Sequence, residues 1–150
     1  MDKDTLLRSI RDGHDRWARA LAPLSDDDLL APAQGEWTKK DLVAHVEYWE
    51  RSSVDNIEAL RAGHERPEAA QPTDERNAQA VADNRDRSAA DVRGGETEAF
   101  ERLLATVEAS DEGELVDAAR YPVLGGDSIA DMVASDTFEH YEEHLPHLTA

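Results

Sequence analysis

Two histidines four residues apart, His140 and His144, are the side chains of this sequence best suited to metal chemistry. Positions i and i+4 lie on one face of a helix, so both rings can reach one divalent ion at ~2.0–2.1 Å. A third protein ligand would leave a coordination position open to water or a substrate. His45, beside an apolar stripe in an earlier segment, is the natural third ligand. The spacing therefore predicts a metal site formed by His45, His140 and His144.

The remaining histidines provide alternatives to this set. His147 shares the helix face of the pair, but it follows Pro146 near the end of the chain, where helices fray. His14 falls among core positions, which is typical of a partly buried and satisfied histidine, and His64 lies in a polar segment and is predicted to be solvated. Pairs of histidines at this spacing also arise by chance on helix surfaces, so histidines without metal stay a competing interpretation.

Other catalytic patterns are less well supported. The letters from His140 to His144 fit the zinc-protease pattern H-x-x-E-H, but only six residues follow His144, too few for a third ligand and a substrate-binding region. Glu143 is predicted to be solvated. The sequence has no phosphate-binding loop and no nucleophile elbow, which argues against nucleotide binding and serine catalysis.

Composition narrows the class of protein. The 150 residues contain no cysteine, and 34 acidic residues against 16 basic ones give a net charge of -18. We expect any metal ligands to be His, Asp, Glu or water, and a small molecule to be the partner, because so acidic a surface repels phosphate backbones and anionic lipids. No apolar run approaches the ~20 residues that cross a bilayer. The sequence therefore predicts a cytoplasmic protein that binds neither nucleic acid nor membrane.

Apolar residues recur at three- and four-residue intervals, which is the helical period. Helix one is predicted from about Asp4 to Ala22, and helix two from about Lys39 to Ala62. Thr38 and Asp41 resemble a capping box before helix two. His45 then lies in the first two turns of that helix.

Turn signals divide the rest of the chain. A polar connection is predicted over 63–73, a third helix from Asp74 that is broken or kinked near Arg87, a loop over 111–127, and a fourth helix from Asp127 or Ser128 to Pro146. The absence of a strand pattern favours an all-α four-helix bundle in a single domain, 1–150. Trp17, Trp37 and Trp49 are interpreted as packing residues, with Trp37 and Trp49 as alternative cavity residues.

Two segments, 35–49 and 136–148, resemble the signatures of the DinB-like superfamily of four-helix-bundle metalloenzymes. In that family a capped helix led by tryptophan carries one histidine ligand, and the last helix carries an H-x-x-x-H pair. Residues 74–78 are similar to the start of the family's third helix. The resemblance implies a bundle that is often dimeric, with Zn, Ni or another divalent ion held by three histidines and open to solvent.

Relatives in that superfamily include transferases of bacillithiol or mycothiol and a mycothiol-dependent maleylpyruvate isomerase. The resemblance therefore predicts a divalent-metal-dependent enzyme, with a low-molecular-weight thiol as cosubstrate and an electrophilic small molecule as acceptor. Two alternatives stay open: a hydrolase that uses a metal-bound hydroxide with Glu143 or Glu47 as base, and a non-catalytic, stress-related helical bundle. Asn77, or a glutamate near the ion that the sequence does not single out, is a candidate for orienting the substrate.

Overall fold

The computed structural model describes residues 1–66 and 71–150, and most of these are helical. The prediction of an all-α bundle is confirmed. The elements are α1 (Lys3–Leu21), β1 (Pro32–Gln34), β2 (Trp37–Thr38), α2 (Lys39–Ala62), α3 (Thr73–Asn84), α4 (Ala89–Glu108), α5 (Glu112–Val116), α6 (Ile129–Asp136) and α7 (Phe138–Thr149). Single 3₁₀ turns span Asp28–Leu30 and Pro122–Leu124.

The bundle consists of α1, α2, α4 and the α6–α7 pair, with α2 packed against α4 and α1 packed against α7. Helix α3 lies on the outside of α2. The core contains two apolar clusters. One includes Leu6, Ile10, Val54, Ile57, Leu103 and Val133, and the other includes Trp17, Leu42, Val46, Val92, Tyr141 and Leu148.

Side-chain caps fix the helix starts where the sequence indicates them. Thr38 Oγ1 accepts from the Asp41 backbone N–H at 3.1 Å, and the Asp41 carboxylate accepts from the Thr38 N–H at 3.0 Å, so the predicted capping box is confirmed. The predicted break in helix three is also confirmed, because α3 ends at Asn84 and Ser88 caps α4. These caps determine where α2 begins and thus the direction of His45.

The fourth predicted helix is two helices. The chain bends at Thr137 (φ -120°, ψ -105°), which separates α6 from α7. The prediction that Pro146 ends the helix is wrong, since α7 continues to Thr149. A proline at this position removes one backbone hydrogen bond of the helix. Because only three helical residues follow Pro146, the last turn tolerates this loss.

Two loop predictions need correction. Residues 111–127 contain α5, which Asp111 caps and which Leu115, fully buried, anchors to the core. The loop before α2 forms a small antiparallel ribbon in which Pro32 pairs with Thr38. The predicted connection over 63–73 includes residues 67–70, which lie outside the described residues.

Candidate metal centre

The three predicted ligands meet between α2 and α7. His45 Nε2 lies 2.9 Å from His140 Nε2, and His144 Nε2 lies 3.0 Å from the same atom. The residues are 4%, 9% and 6% exposed, in chain order. One nitrogen of each ring therefore faces a common point, as in a three-histidine metal site.

Burial keeps these rings neutral at physiological pH. Desolvation, with a smaller contribution from His144, lowers the pKa of His45 to about 3. Desolvation and the two neighbouring histidines lower the pKa of His140 to about 2. The pKa of His144 is also lowered, chiefly by desolvation. Neutral imidazole is the form that binds a metal, so the set has its lone pairs available.

The hydrogen bonding of the rings fits a cation better than it fits the rings alone. A neutral ring nitrogen carries either one hydrogen or one lone pair, so His140 Nε2 cannot make two good hydrogen bonds to its two neighbours. The Nδ1 atoms of all three rings have no hydrogen-bond partner within the described part of the chain. A cation among three lone pairs removes the conflict at Nε2.

The spacing of the nitrogens also suits an ion. Ligands at ~2.05 Å from a metal lie about 2.9 Å apart when their bonds are at right angles, and about 3.3 Å apart in a tetrahedron. The two separations from His140 Nε2, 2.9 and 3.0 Å, agree with the first of these spacings. Small outward movements of the rings would give the second.

A large cavity adjoins the histidines. It has a volume of about 1110 Å³, and His45, His140 and His144 contribute to its wall. Trp37 and Trp49 both line it, which agrees with the alternative interpretation of these two as cavity residues. Trp17 is fully buried in the core, as predicted. The ring centre of Trp37 lies 4.8 Å from that of His45. The cavity therefore offers aromatic surface beside the candidate metal position.

Polar groups also face the cavity. Trp49 Nε1 donates to Asn77 Oδ1 at 2.8 Å, and this contact holds Asn77 at the wall, where a role in substrate orientation was predicted. The exposed carboxylate of Glu143 lies there too. Sequence reasoning missed Asp136 and Glu139, which also line the cavity. No signal in the sequence separates these two from the 34 acidic residues of the chain.

Other candidates lie apart from this site. Glu47 is buried and forms ion pairs with Arg51 at 2.9 Å and Arg87 at 2.8 Å, away from the cavity wall, so it does not fit the predicted role of base. The ring centre of His147 is 6.4 Å from that of His144, outside the converging set. His64 is exposed and His14 is hydrogen-bonded inside the bundle, both as predicted.

Comparison with known proteins agrees with this architecture. The family model of the mycothiol maleylpyruvate isomerase N-terminal domain matches residues 10–141. The chain belongs to this family. It is thereby a member of the DinB-like superfamily, as its sequence signatures suggest. No curated protein sequence matches it.

Solved structures share the fold at low identity. The mycothiol-dependent maleylpyruvate isomerase matches with a TM-score of 0.82 and 17% identity, covering 100% of this chain and 62% of the isomerase. A protein from Streptococcus pneumoniae matches with a TM-score of 0.86 and 12% identity, over 99% of this chain and 88% of that one. The colibactin self-resistance protein ClbS, solved in complex with double-stranded DNA, matches with a TM-score of 0.85 and 16% identity, covering 98% of this chain and 93% of ClbS.

The ClbS complex corrects one prediction. The exclusion of nucleic acid on the basis of net charge is wrong, because a protein of this fold has been crystallised with double-stranded DNA. Net charge sums over the whole surface, whereas contact with a phosphate backbone depends on the local distribution of charge. For membranes, none of the helices in residues 1–66 and 71–150 combines the length and apolar character needed to span a bilayer.

Proposed function

We propose that this protein is a divalent-metal-dependent enzyme that transfers a low-molecular-weight thiol to an electrophilic small molecule. His45, His140 and His144 are the proposed ligands, with Zn or Ni as the ion. The convergence of three buried, neutral imidazoles at the wall of a cavity of about 1110 Å³ carries this proposal. Membership of a family named for a mycothiol-dependent isomerase supports the choice of a thiol as cosubstrate.

The proposed ion would lower the pKa of a coordinated thiol or water and so supply a nucleophile near neutral pH. The three histidines would hold it by Nε2 and leave its cavity side free. Trp37, whose ring centre lies 4.8 Å from that of His45, offers a flat apolar surface to a substrate. Asn77, held by Trp49, can orient a polar group of the substrate. The exposed carboxylate of Glu143 at the cavity wall is suited to accept the proton released by the thiol.

Metal content and thiol transfer can be measured on the same preparations. Purified protein without a tag should contain close to one equivalent of metal at the histidine site and consume mycothiol or bacillithiol in the presence of an electrophile. The variant His140→Ala/His144→Ala should contain one equivalent of metal less than the parent and should lose thiol transfer. The matched control is His147→Ala, which removes a neighbouring histidine outside the converging set and should keep both the metal and thiol transfer. Thiol transfer that survives loss of the metal would overturn the proposal.

Hydrolysis is a second candidate, and it is favoured by the carboxylate of Glu143 at the cavity wall. The same ion would then activate water, with Glu143 as the general base. Product analysis with and without thiol separates the two reactions, since only transfer yields a thiol conjugate. The variant Glu143→Gln should reduce hydrolysis by roughly 10²–10⁴-fold if Glu143 is the base.

A further inference from the structure

A second group of ionisable side chains is buried in the middle of the bundle. His14 on α1, Glu50 on α2, Glu96 on α4 and Tyr141 on α7 contribute one residue from each of the four bundle helices. Their exposures are 9%, 0%, 2% and 2% in that order. Each is therefore removed from solvent by the helices that surround it.

This polar group lies between the two apolar clusters of the core. Along three helices, the polar residue falls between members of the two clusters: Ile10, His14 and Trp17 on α1; Val46, Glu50 and Val54 on α2; Val92, Glu96 and Leu103 on α4. The bundle thus has a polar layer between the two apolar clusters, at a depth where bundle cores usually contain apolar side chains. Burying charges there costs several kcal/mol unless each is compensated.

The hydrogen bonds of the layer leave the carboxylates without a full counter-charge. His14 Nε2 is 2.8 Å from Glu96 Oε1, and the Tyr141 hydroxyl donates to Glu50 Oε2 at 2.6 Å. The other oxygen of Glu50, Oε1, is buried and has no hydrogen-bond partner among residues 1–66 and 71–150. Glu50 forms no ion pair with a lysine or arginine of the described chain, and Glu96 pairs only with His14.

A neighbouring glutamate shows the contrast. Glu47, one turn before Glu50 on α2 and also buried, is paired with both Arg51 and Arg87. Tyrosine supplies only a neutral donor to Glu50, and His14 is the single group in the layer that can carry a positive charge. Two carboxylates and one imidazole therefore converge inside the bundle with less positive charge than the two carboxylates require, and a divalent cation would supply it.

We propose that His14, Glu50 and Glu96 form a second site for a divalent transition-metal ion, separate from the three-histidine centre. One ligand atom from each of the three residues lies within 4.8 Å of the other two. The His14–Glu96 pair is already at the separation of two ligands of one ion. Mixed imidazole and carboxylate ligands suit Mn, Fe or Zn. Tyr141 occupies Oε2 of Glu50, and Oε1 is the oxygen of this carboxylate that stays available as a ligand.

The competing explanation is a proton shared by the two carboxyl groups. Burial and the neighbouring Glu96 raise the pKa of Glu50 well above its usual value, so a protonated Glu50 could donate to Glu96 in the absence of an ion. Substitution by glutamine distinguishes the two. It mimics the protonated acid and preserves a shared hydrogen bond, but it removes the charge that a cation requires.

Binding of Mn²⁺ to chelator-treated protein tests the proposal. The variant His140→Ala/His144→Ala removes the three-histidine centre, so any tight site that remains belongs elsewhere in the protein. Bound Mn²⁺ is counted by equilibrium dialysis and by the decrease in the electron paramagnetic resonance signal of free Mn²⁺. Millimolar Mg²⁺ and physiological salt suppress weak binding to the acidic surface. We expect one equivalent of Mn²⁺ at micromolar concentration, and none after Glu50→Gln is added. Glu47→Gln, the matched buried control, should retain the equivalent.

Thermal unfolding provides an independent measurement. Mn²⁺ at a hundredfold excess over Kd should raise the midpoint of the double variant by about 5–10 °C, and should have no effect once Glu50→Gln is present. If Glu50→Gln does not fold, His14→Gln serves in the same two assays. No bound Mn²⁺, together with an unchanged or higher midpoint for Glu50→Gln, would overturn the metal proposal in favour of the shared proton. Because the double variant lacks the three-histidine centre, neither result depends on the thiol-transfer proposal.

Discussion

The close approach of α1 and α7 at Gly13 yields a prediction for both stability and metal affinity. A Cβ atom at position 13 would lie 2.7 Å from Phe138 Cβ and 3.0 Å from Phe138 Cα. The Cα atom belongs to the backbone at the start of α7, so a rotamer change cannot relieve that contact. Because neither atom can move unless the backbone moves, the cost of overpacking falls in the upper part of its usual range, at about 2–3 kcal/mol, and the better helix propensity of alanine offsets about 1 kcal/mol of it. Gly13→Ala should therefore lose about 1–2 kcal/mol.

The consequence for the site follows from its position. Phe138 precedes His140 by two residues, so a displaced start of α7 also moves two of the three proposed ligands. Urea unfolding followed by tryptophan fluorescence would measure the free energy, and the thermal midpoint should fall by about 2–8 °C. Metal affinity should decrease in the same variant, although residue 13 does not touch the cavity.

Gly94→Ala is the matched control. Gly94 is exposed in the middle of α4, and a Cβ atom there would meet no atom of the described residues within 4 Å. The same substitution should stabilise the protein by up to about 1 kcal/mol through helix propensity alone. A Gly13→Ala variant that is as stable as the parent, while Gly94→Ala behaves as expected, would refute the argument that the close approach fixes α7.

Three further predictions concern protonation and capping. In metal-free protein, His140 becomes protonated near pH 6.5 in the unfolded chain but only near pH 2 in the folded chain, so the free energy of unfolding should fall by ~1.4 kcal/mol per pH unit below about pH 6.5. Urea unfolding at pH 7 and pH 5 should show a smaller loss of stability for His140→Ala than for the parent. For Glu50 the folded pKa is raised, so metal-free parent should lose stability as pH rises above the group's usual value, and Glu50→Gln should flatten that loss between pH 5 and 8. Thr38→Ala should lower the free energy of unfolding in urea by about 1 kcal/mol because it removes the cap of α2. The control Thr97→Ala, on an exposed helix surface, should stay within about 0.5 kcal/mol of the parent.

Sequence spacing was sufficient for the bundle and for placing His140 and His144 together, because helical periodicity fixes which residues share a face. The addition of His45, on a different helix, depended on its position beside the apolar stripe of α2 and on the family resemblance. Spacing was not sufficient for the break at Thr137, since neither proline nor glycine marks that position and the bend depends on packing between helices. The polar layer did leave a signal. Glu50 lies four residues from both Val46 and Val54, on the apolar face of α2. A charged residue in such a stripe indicates a buried polar group, but its partners on other helices require the structure.

The bend at Thr137 links the two groups of ionisable residues. In a continuous helix from Ile129 onward, all side chains would keep one fixed rotational relation around a single axis. The burial of Ile129 and Val133 in the core would then also determine where the histidines point. The bend lets α7 begin with a different rotational orientation from α6, and the Tyr141 N–H donates to the Thr137 carbonyl at 2.8 Å at this start. His140 and Tyr141 are consecutive, so their side chains leave α7 about 100° apart. One faces the cavity and the other the polar layer. A shift of α7 in register or rotation would therefore disturb both sites together, which makes the geometry at Thr137 and Gly13 a structural determinant of each.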